Sequence, residues 1–211
     1  MEQLIIGVFE QGFIYAVMAL GVYITYKILD FPDLSVDSTF PLGAAITTVL
    51  LMNGFNPILS LILSTAAGAA AGALTGIIHV KFRVRDLLSG IIMMTGLYTI
   101  NLRITGGSAN VPLFNYHTIF NNDFINKLCP EALEPYKTLI IIALIMLIAK
   151  LLLDLYLKTK SGFLLRAVGD NEKIVTSLAK DSGFVKIVGL SIANGLVALA
   201  GSVMCQQQRF F

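Results

Sequence analysis

The sequence predicts an all-α protein: a polytopic transmembrane helical bundle with a broken helix near residues 30–40 and an amphipathic cytoplasmic helix near 169–180. Three observations carry this expectation. The chain is 56% hydrophobic and 13% charged, with a mean hydropathy of +0.79, whereas a soluble domain carries roughly 25% charged residues. Its apolar runs approach the roughly 20 residues needed to cross a bilayer. The stretch KILDFPDLSVDSTFPLG, Lys27 to Gly43, interrupts those runs with aspartates, serines and two prolines.

Hydropathy places about six spans, at Leu4–Leu29, Thr39–Met52, Pro57–Val80, Leu87–Ile104, Thr138–Tyr156 and Ile187–Met204. The first is longer than the apolar core of a secretory signal and lacks an A-x-A-like cleavage site, so it reads as a retained helix. Lys81, Arg83 and Arg85 follow the third span, and Lys158, Lys160, Arg166, Lys173, Lys180 and Lys186 follow the fifth. Both segments are therefore expected on the cytoplasmic side. The loop Thr105–Lys137 and the amino terminus then lie outside. The formal net charge is only +2, and with basic residues clustered near helix ends nothing points to nucleic acid. Cys129 and Cys205 suggest neither a disulfide framework nor a metal site, and His79 has no second ligand at suitable spacing.

In the third span, Gly68, Gly72 and Gly76 recur every four residues on one helical face. Small residues let helix backbones approach in lipid, where association depends on packing. Such a face serves packing within one bundle or a seam between two copies.

The polar stretch has to interrupt a helix. Pro32 removes a backbone donor and disfavours helix at Phe31, while Asp30, Asp33, Ser35, Asp37 and Ser38 favour turns and caps. Helix is expected to resume near Thr39 to Pro41. Two structures fit: a short cytoplasmic connection, or a discontinuous helix whose unwound part lines a watery path. On the second reading Asp33, Ser35, Asp37, Ser38 and Thr39 line that path, and the new helix end could receive a solute carboxylate.

Beyond the fifth span, LKTKSGFLLRAVGDNEKIVTSLAKDSGFVKI is punctuated by Gly162 and Gly169, with Asp170 or Asn171 available as a helix cap. Val175, Leu178 and Ala179 form an apolar face opposite Lys173 and Lys180. The helix either lies on the membrane surface or docks a cytoplasmic protein.

The order Gly162, Arg166, Ala167, Gly169, Asn171, Ala179, Gly183 resembles the coupling segment of permeases in ABC importers of the branched-chain amino acid and ribose type. The opening GFIYAVMALGVYITYKILDFPDLSVDSTFPLGAAI is similar to that family's first helix, broken segment and entry to the next helix. The aspartate-rich DFPDLSVD looks closest to a subgroup linked to tryptophan or other aromatic amino acids. Two features depart from the family pattern: the chain stops at CQQQRFF soon after its sixth span, and Lys180–Asp181 stands where an apolar or small residue is usual. The resemblance implies one transmembrane permease domain over residues 1–211, expected to lack the family's last helices, in a bacterial inner membrane.

It further implies cytoplasmic ATP-binding subunits docked on Gly169, Asn171, Glu172, Val175, Leu178 and Ala179, an external solute-binding protein, and a second copy of the permease. The solute would be an amino acid, aromatic or branched-chain, with a sugar or nucleoside as the alternative. No G-x-x-x-x-G-K-[ST] is present, so ATP hydrolysis would belong to a partner. No cofactor, metal or catalytic constellation is expected. The rival readings are an ion-coupled carrier and, on the strength of Glu10, Asp33 and Asp37, a membrane-embedded enzyme.

Overall fold

The computed structural model describes residues 2–108, 110–121, 136–177 and 181–211. Helix α1, Glu2–Val22, runs into a π-helical turn at Tyr23–Ile28. After the break come α2 (Val36–Met52), α3 (Pro57–Phe82), α4 (Asp86–Ile104), α5 (Lys137–Leu157), α6 (Lys160–Ser177) and α7 (Ser182–Gln208). Five of these helices are long and apolar enough to cross a membrane, α1 being counted together with its π-turn. The sixth expected span is α2, which is apolar but has 17 residues.

Local chemistry sets several of the ends. The Asn56 side chain accepts from Ile58 N ahead of Pro57, and α3 stops at Arg83, whose φ of 55° is left-handed. Asp181 caps α7 by accepting from Phe184 N. Helix α2 starts at Val36, earlier than the expected Thr39 to Pro41, because the Ser35 carbonyl already accepts from Ser38 N and Thr39 N. Pro41 therefore sits inside α2, in its second turn, where its missing N–H leaves one intrahelical bond unmade.

Helix α7 is the axis of the bundle. In its most apolar window 61% of residues are buried, against 17–33% in the other four spans. Its sequence explains this: Gly189, Ala193, Gly195, Ala198, Ala200, Gly201 and Ser202 present little side-chain volume, so α1, α2 and α3 close onto it. The Gly68, Gly72 and Gly76 face is spent here. A Cβ on Gly68 would strike Ala198 and the Asn194 carbonyl, one on Gly72 the Leu190 carbonyl, and one on Gly76 would lie 2.8 Å from Ile187 Cα. Of the two uses open to this face, the structure takes packing within one bundle. Polar side chains add to the same contact, with Thr47 bonded to Ser64 and Ser202, and Gln206 Nε2 donating to Ser60 Oγ at 3.2 Å.

At the end expected outside, the loop after α4 is tied down where it is described. Val111 and Phe211 exchange backbone hydrogen bonds of 3.1 and 3.2 Å, and Ile119 N donates to the Gln206 carboxamide. Residues 122–135, including Cys129, lie outside the described residues; Cys205 is buried beside Thr48.

Gly72→Val forces two helix backbones apart, because a branched side chain has no room against the Leu190 carbonyl. The variant should lose the monodisperse bundle peak in detergent size-exclusion chromatography and melt several degrees lower. A change confined to dimer dissociation, with the monomer's melting intact, would return these glycines to an intersubunit seam.

Candidate functional site in the broken first helix

The interruption begins with the π-turn. Leu29 N bonds to Ile24 O at 3.0 Å and Phe31 N to Thr25 O at 2.9 Å, wider loops than an α-helix closes. Asp30 follows with φ of 52°, a left-handed conformation that aspartate tolerates better than most side chains. Helix then resumes at Val36. The unwound backbone is thus short, residues 29–35, and Asp37, Ser38 and Thr39 stand in the first turn of α2.

The break is fastened to α7 and α4. Asp33 Oδ2 accepts from Asn194 Nδ2 at 2.8 Å, Asp33 Oδ1 accepts from Ser35 N at 2.9 Å, and Ser35 Oγ donates to Asn194 Oδ1 at 3.2 Å. Ser35 and Asn194 are fully buried. Toward α4, Ser38 Oγ donates to Met94 O at 2.8 Å and Asn101 Nδ2 donates to Ser38 O at 2.9 Å. Met94 lies about 12 Å along a helix of about 28 Å, and Asn194 about 18 Å along one of about 40 Å. The part from Asp33 to Ser38 is therefore fixed well inside the length of two spanning helices, while Phe31 at its start lies against His79 near the end of α3, which favours the discontinuous helix over a connection held wholly outside the bundle.

The expected path residues divide into two groups. Ser35 and Thr39 are buried, with Thr39 Oγ1 returned to Ser35 O at 2.9 Å, and Asp33 is engaged by Asn194; these three shape the break. Asp37 is exposed, and its carboxylate makes no hydrogen bond or ion pair among the described residues. With Ser38, Met94, Thr95 and Tyr98 it lines a cavity of about 270 Å³ between α2 and α4. The amides of Ser35, Asp37 and Ser38 already donate to Asp33, Leu34 O and Ser35 O. The start of α2 consequently offers a solute carboxylate less than its position suggested.

The amphipathic segment departs from expectation. Helix begins at Lys160, ahead of Gly169, and kinks at Asn171, whose backbone is extended at φ −161° and ψ 97°. Val175 does not face outward. It is 2% exposed, in a core with Ile24, Ile28, Leu29 and Leu165, because α6 folds back onto the π-turn instead of standing clear of the bundle. Gly169 makes that contact possible, since a Cβ there would collide with the Ile28 carbonyl. Leu178 and Ala179 lie outside the described residues, as does the side chain of Glu172.

His79 stands at the end of the bundle expected to be cytoplasmic, its Nδ1 2.9 Å from Val84 O and 3.6 Å from Asp86, with Phe31 edge-on at 5.1 Å. Among the described residues no group of three or more metal-ligating side chains assembles. Glu10 accepts from Gln207 Nε2 at 3.0 Å, remote in the fold from the break.

Asn194, Met94, Thr95, Tyr98 and Asn101 were missed by the sequence reading. Asn194 had a legible signal, an amide inside the apolar run SIANGLVALAGSV, where an unsatisfied polar group in lipid is costly. The α4 residues had none, because only the fold brings α4 beside Asp37.

A spanning bundle built on small-residue packing, with a helix broken partway along the bundle by acceptor-rich side chains, is an arrangement that recurs among membrane transporters. Comparison with known proteins agrees: the family described as "Branched-chain amino acid transport system / permease component" matches residues 4–211. The chain belongs to that family and is a multi-pass bacterial membrane protein. It is 46% identical over 202 residues to a "Tyrosine transport system permease protein" of Clostridioides difficile, covering 96% of this chain and 64% of that protein. It is 33% identical to an uncharacterized protein of Rickettsia prowazekii over 98% of this chain and 69% of the relative. It is 26% identical to the ribose import permease protein of Escherichia coli K12 over 93% of this chain and 59% of the relative. No solved structure matches.

Asn194→Ala should leave Asp33 Oδ2 and Ser35 Oγ without their partner in a buried setting. The expected cost is about 1–3 kcal/mol, read as a fall of several degrees in the melting temperature of the purified bundle. An unchanged melting curve would mean that the break is held by something other than this carboxamide.

Proposed function

We propose that the chain is the transmembrane permease domain of an ATP-driven, binding-protein-dependent importer of amino acids, and that the broken helix lines its path. The observation that carries this reading is the Asp37 carboxylate, exposed near the mid-length of α4 and without a partner among the described residues. A charge facing lipid at such depth costs at least ~2.5 kcal/mol even on insertion scales. A water-filled path removes that cost, and an amino acid's ammonium group gives the charge a partner. The 46%-identical tyrosine permease supports an amino acid, aromatic in kind, over the sugar named for the 26%-identical relatives.

Partners follow from the same reading. Cytoplasmic ATP-binding subunits supply the energy, an external binding protein delivers the solute, and a second permease copy completes the path. The ATPase contact falls on the exposed side of α6 and on the segment that follows it, since Gly169 and Val175 are occupied within the bundle. Gly169 lying against the Ile28 carbonyl, and Leu165 and Val175 in one core with Ile28 and Leu29, place α6 directly on the π-turn. Movement of α6 driven by ATP then reaches the break through a packed contact, with no flexible linker between them.

Asp37→Asn keeps the shape and removes the charge. In vesicles containing the assembled importer, ATP-dependent uptake of L-tyrosine should fall roughly 10- to 100-fold, as expected from losing one charge-assisted contact of about 1.5–3 kcal/mol. Co-purification of the ATPase should stay intact. Full uptake in this variant would contradict the path assignment, and uptake without ATP would favour an ion-coupled carrier.

A further inference from the structure

The cavity between α2 and α4 has an unusual donor and acceptor balance. Ser38 Oγ spends its proton on Met94 O at 2.8 Å. Thr95 Oγ1 spends its own on Ile91 O and Ile92 O, at 3.1 and 3.0 Å. Both hydroxyls are left with lone pairs as their remaining hydrogen-bonding capacity. Asp37 adds a carboxylate, an acceptor alone when ionised, and the exposed Tyr98 adds an aromatic ring to the lining. Among the described residues no lysine or arginine lines this space. Met94 supplies apolar surface beside the acceptors.

We propose that Asp37, Ser38, Thr95 and Tyr98 form a subsite for a primary ammonium group, with α4 as the second wall of the path. This assignment rests on the importer reading above and adds α4 to it. An ammonium presents three N–H donors and no acceptor, the complement of two acceptor-only hydroxyls and one carboxylate, and its charge is further favoured beside an aromatic face. A sugar hydroxyl brings a lone pair along with each proton and no positive charge for the carboxylate and the ring to attract. A carboxylate is repelled by Asp37. The subsite therefore sorts solutes by their ammonium end and leaves the carboxylate end to be held elsewhere.

Thiol labelling tests the subsite without relying on transport. Thr95→Cys is introduced into the assembled importer with Cys129→Ser and Cys205→Ser, and treated with 2-aminoethyl and 2-sulfonatoethyl methanethiosulfonate, each rate normalised to a free thiol. The cationic reagent should react roughly tenfold faster, the scale on which a charged cleft concentrates an oppositely charged reagent, and Asp37→Asn should abolish the preference. Equal rates, a preference that survives Asp37→Asn, or no reaction with either reagent would each overturn the subsite. If Asp37→Asn loses uptake while the two rates at position 95 are equal, the subsite falls and the path reading stands. If the preference is present and depends on Asp37 while uptake survives Asp37→Asn, the subsite stands and the path reading falls.

Discussion

The carboxamide of Asn194 meets the Asp33 carboxylate and the Ser35 hydroxyl at the centre of the bundle, and the rest of the arrangement depends on that meeting. Interrupting a helix at membrane depth exposes backbone groups that hydrocarbon cannot satisfy, each at a cost of several kcal/mol. Here the interruption is kept to residues 29–35 and several of its groups are closed off locally. The π-turn takes Leu29 N and Phe31 N, the Asp33 side chain takes Ser35 N, and the Ser35 carbonyl starts α2. Asn194 then fastens this knot to the most buried of the five spanning helices. With Asp33 held in that way, Asp37 is left as the carboxylate free to face the cavity.

The helix that carries Asn194 also begins next to the amphipathic segment. Asp181 caps α7 immediately after the α6 region, and α6 itself lies on the π-turn through Gly169 and Val175. The break is thus in contact from two directions, by way of α7 and by way of α6, with the end of the bundle expected to be cytoplasmic. A packed core transmits displacement because its side chains have no slack to absorb it. Close backbone approach at Gly169 makes that link short, and a π-turn is a place where a helix can change its hydrogen bonding over one turn.

The sequence carried the fold well because membrane helices are governed by few constraints: length, apolarity and the sign of the loops. The α3 glycines and the break at Pro32 were legible for the same reason, since small residues and helix breakers in an apolar chain have few uses. The edges of elements were less legible. Helix α2 starts before Pro41 because the Ser35 carbonyl accepts the first bonds, a detail that residue type alone does not dictate. Val175 misled in a physical way: an apolar face on an amphipathic helix says that something covers it, and in this fold the cover is the chain's own π-turn. Thr95 and Tyr98 were invisible because their importance lies in being beside Asp37, and Ser35 and Thr39 looked like path residues although their hydroxyls are consumed in building the break.

The most direct test of this account exchanges the two partners of the central contact. Asp33→Asn and Asn194→Asp are made singly and together in the assembled transporter, and thermal stability and uptake are measured for all four proteins. Each single change removes the carboxylate–amide pairing, by joining two amides or by opposing two carboxylates. The double exchange restores it with the chemistry reversed. A coupling of at least about 1 kcal/mol is expected, with the double variant more stable than Asn194→Asp alone and with part of its uptake recovered. Strictly additive losses would contradict it, because the break would then be held in place without the pairing of Asp33 and Asn194.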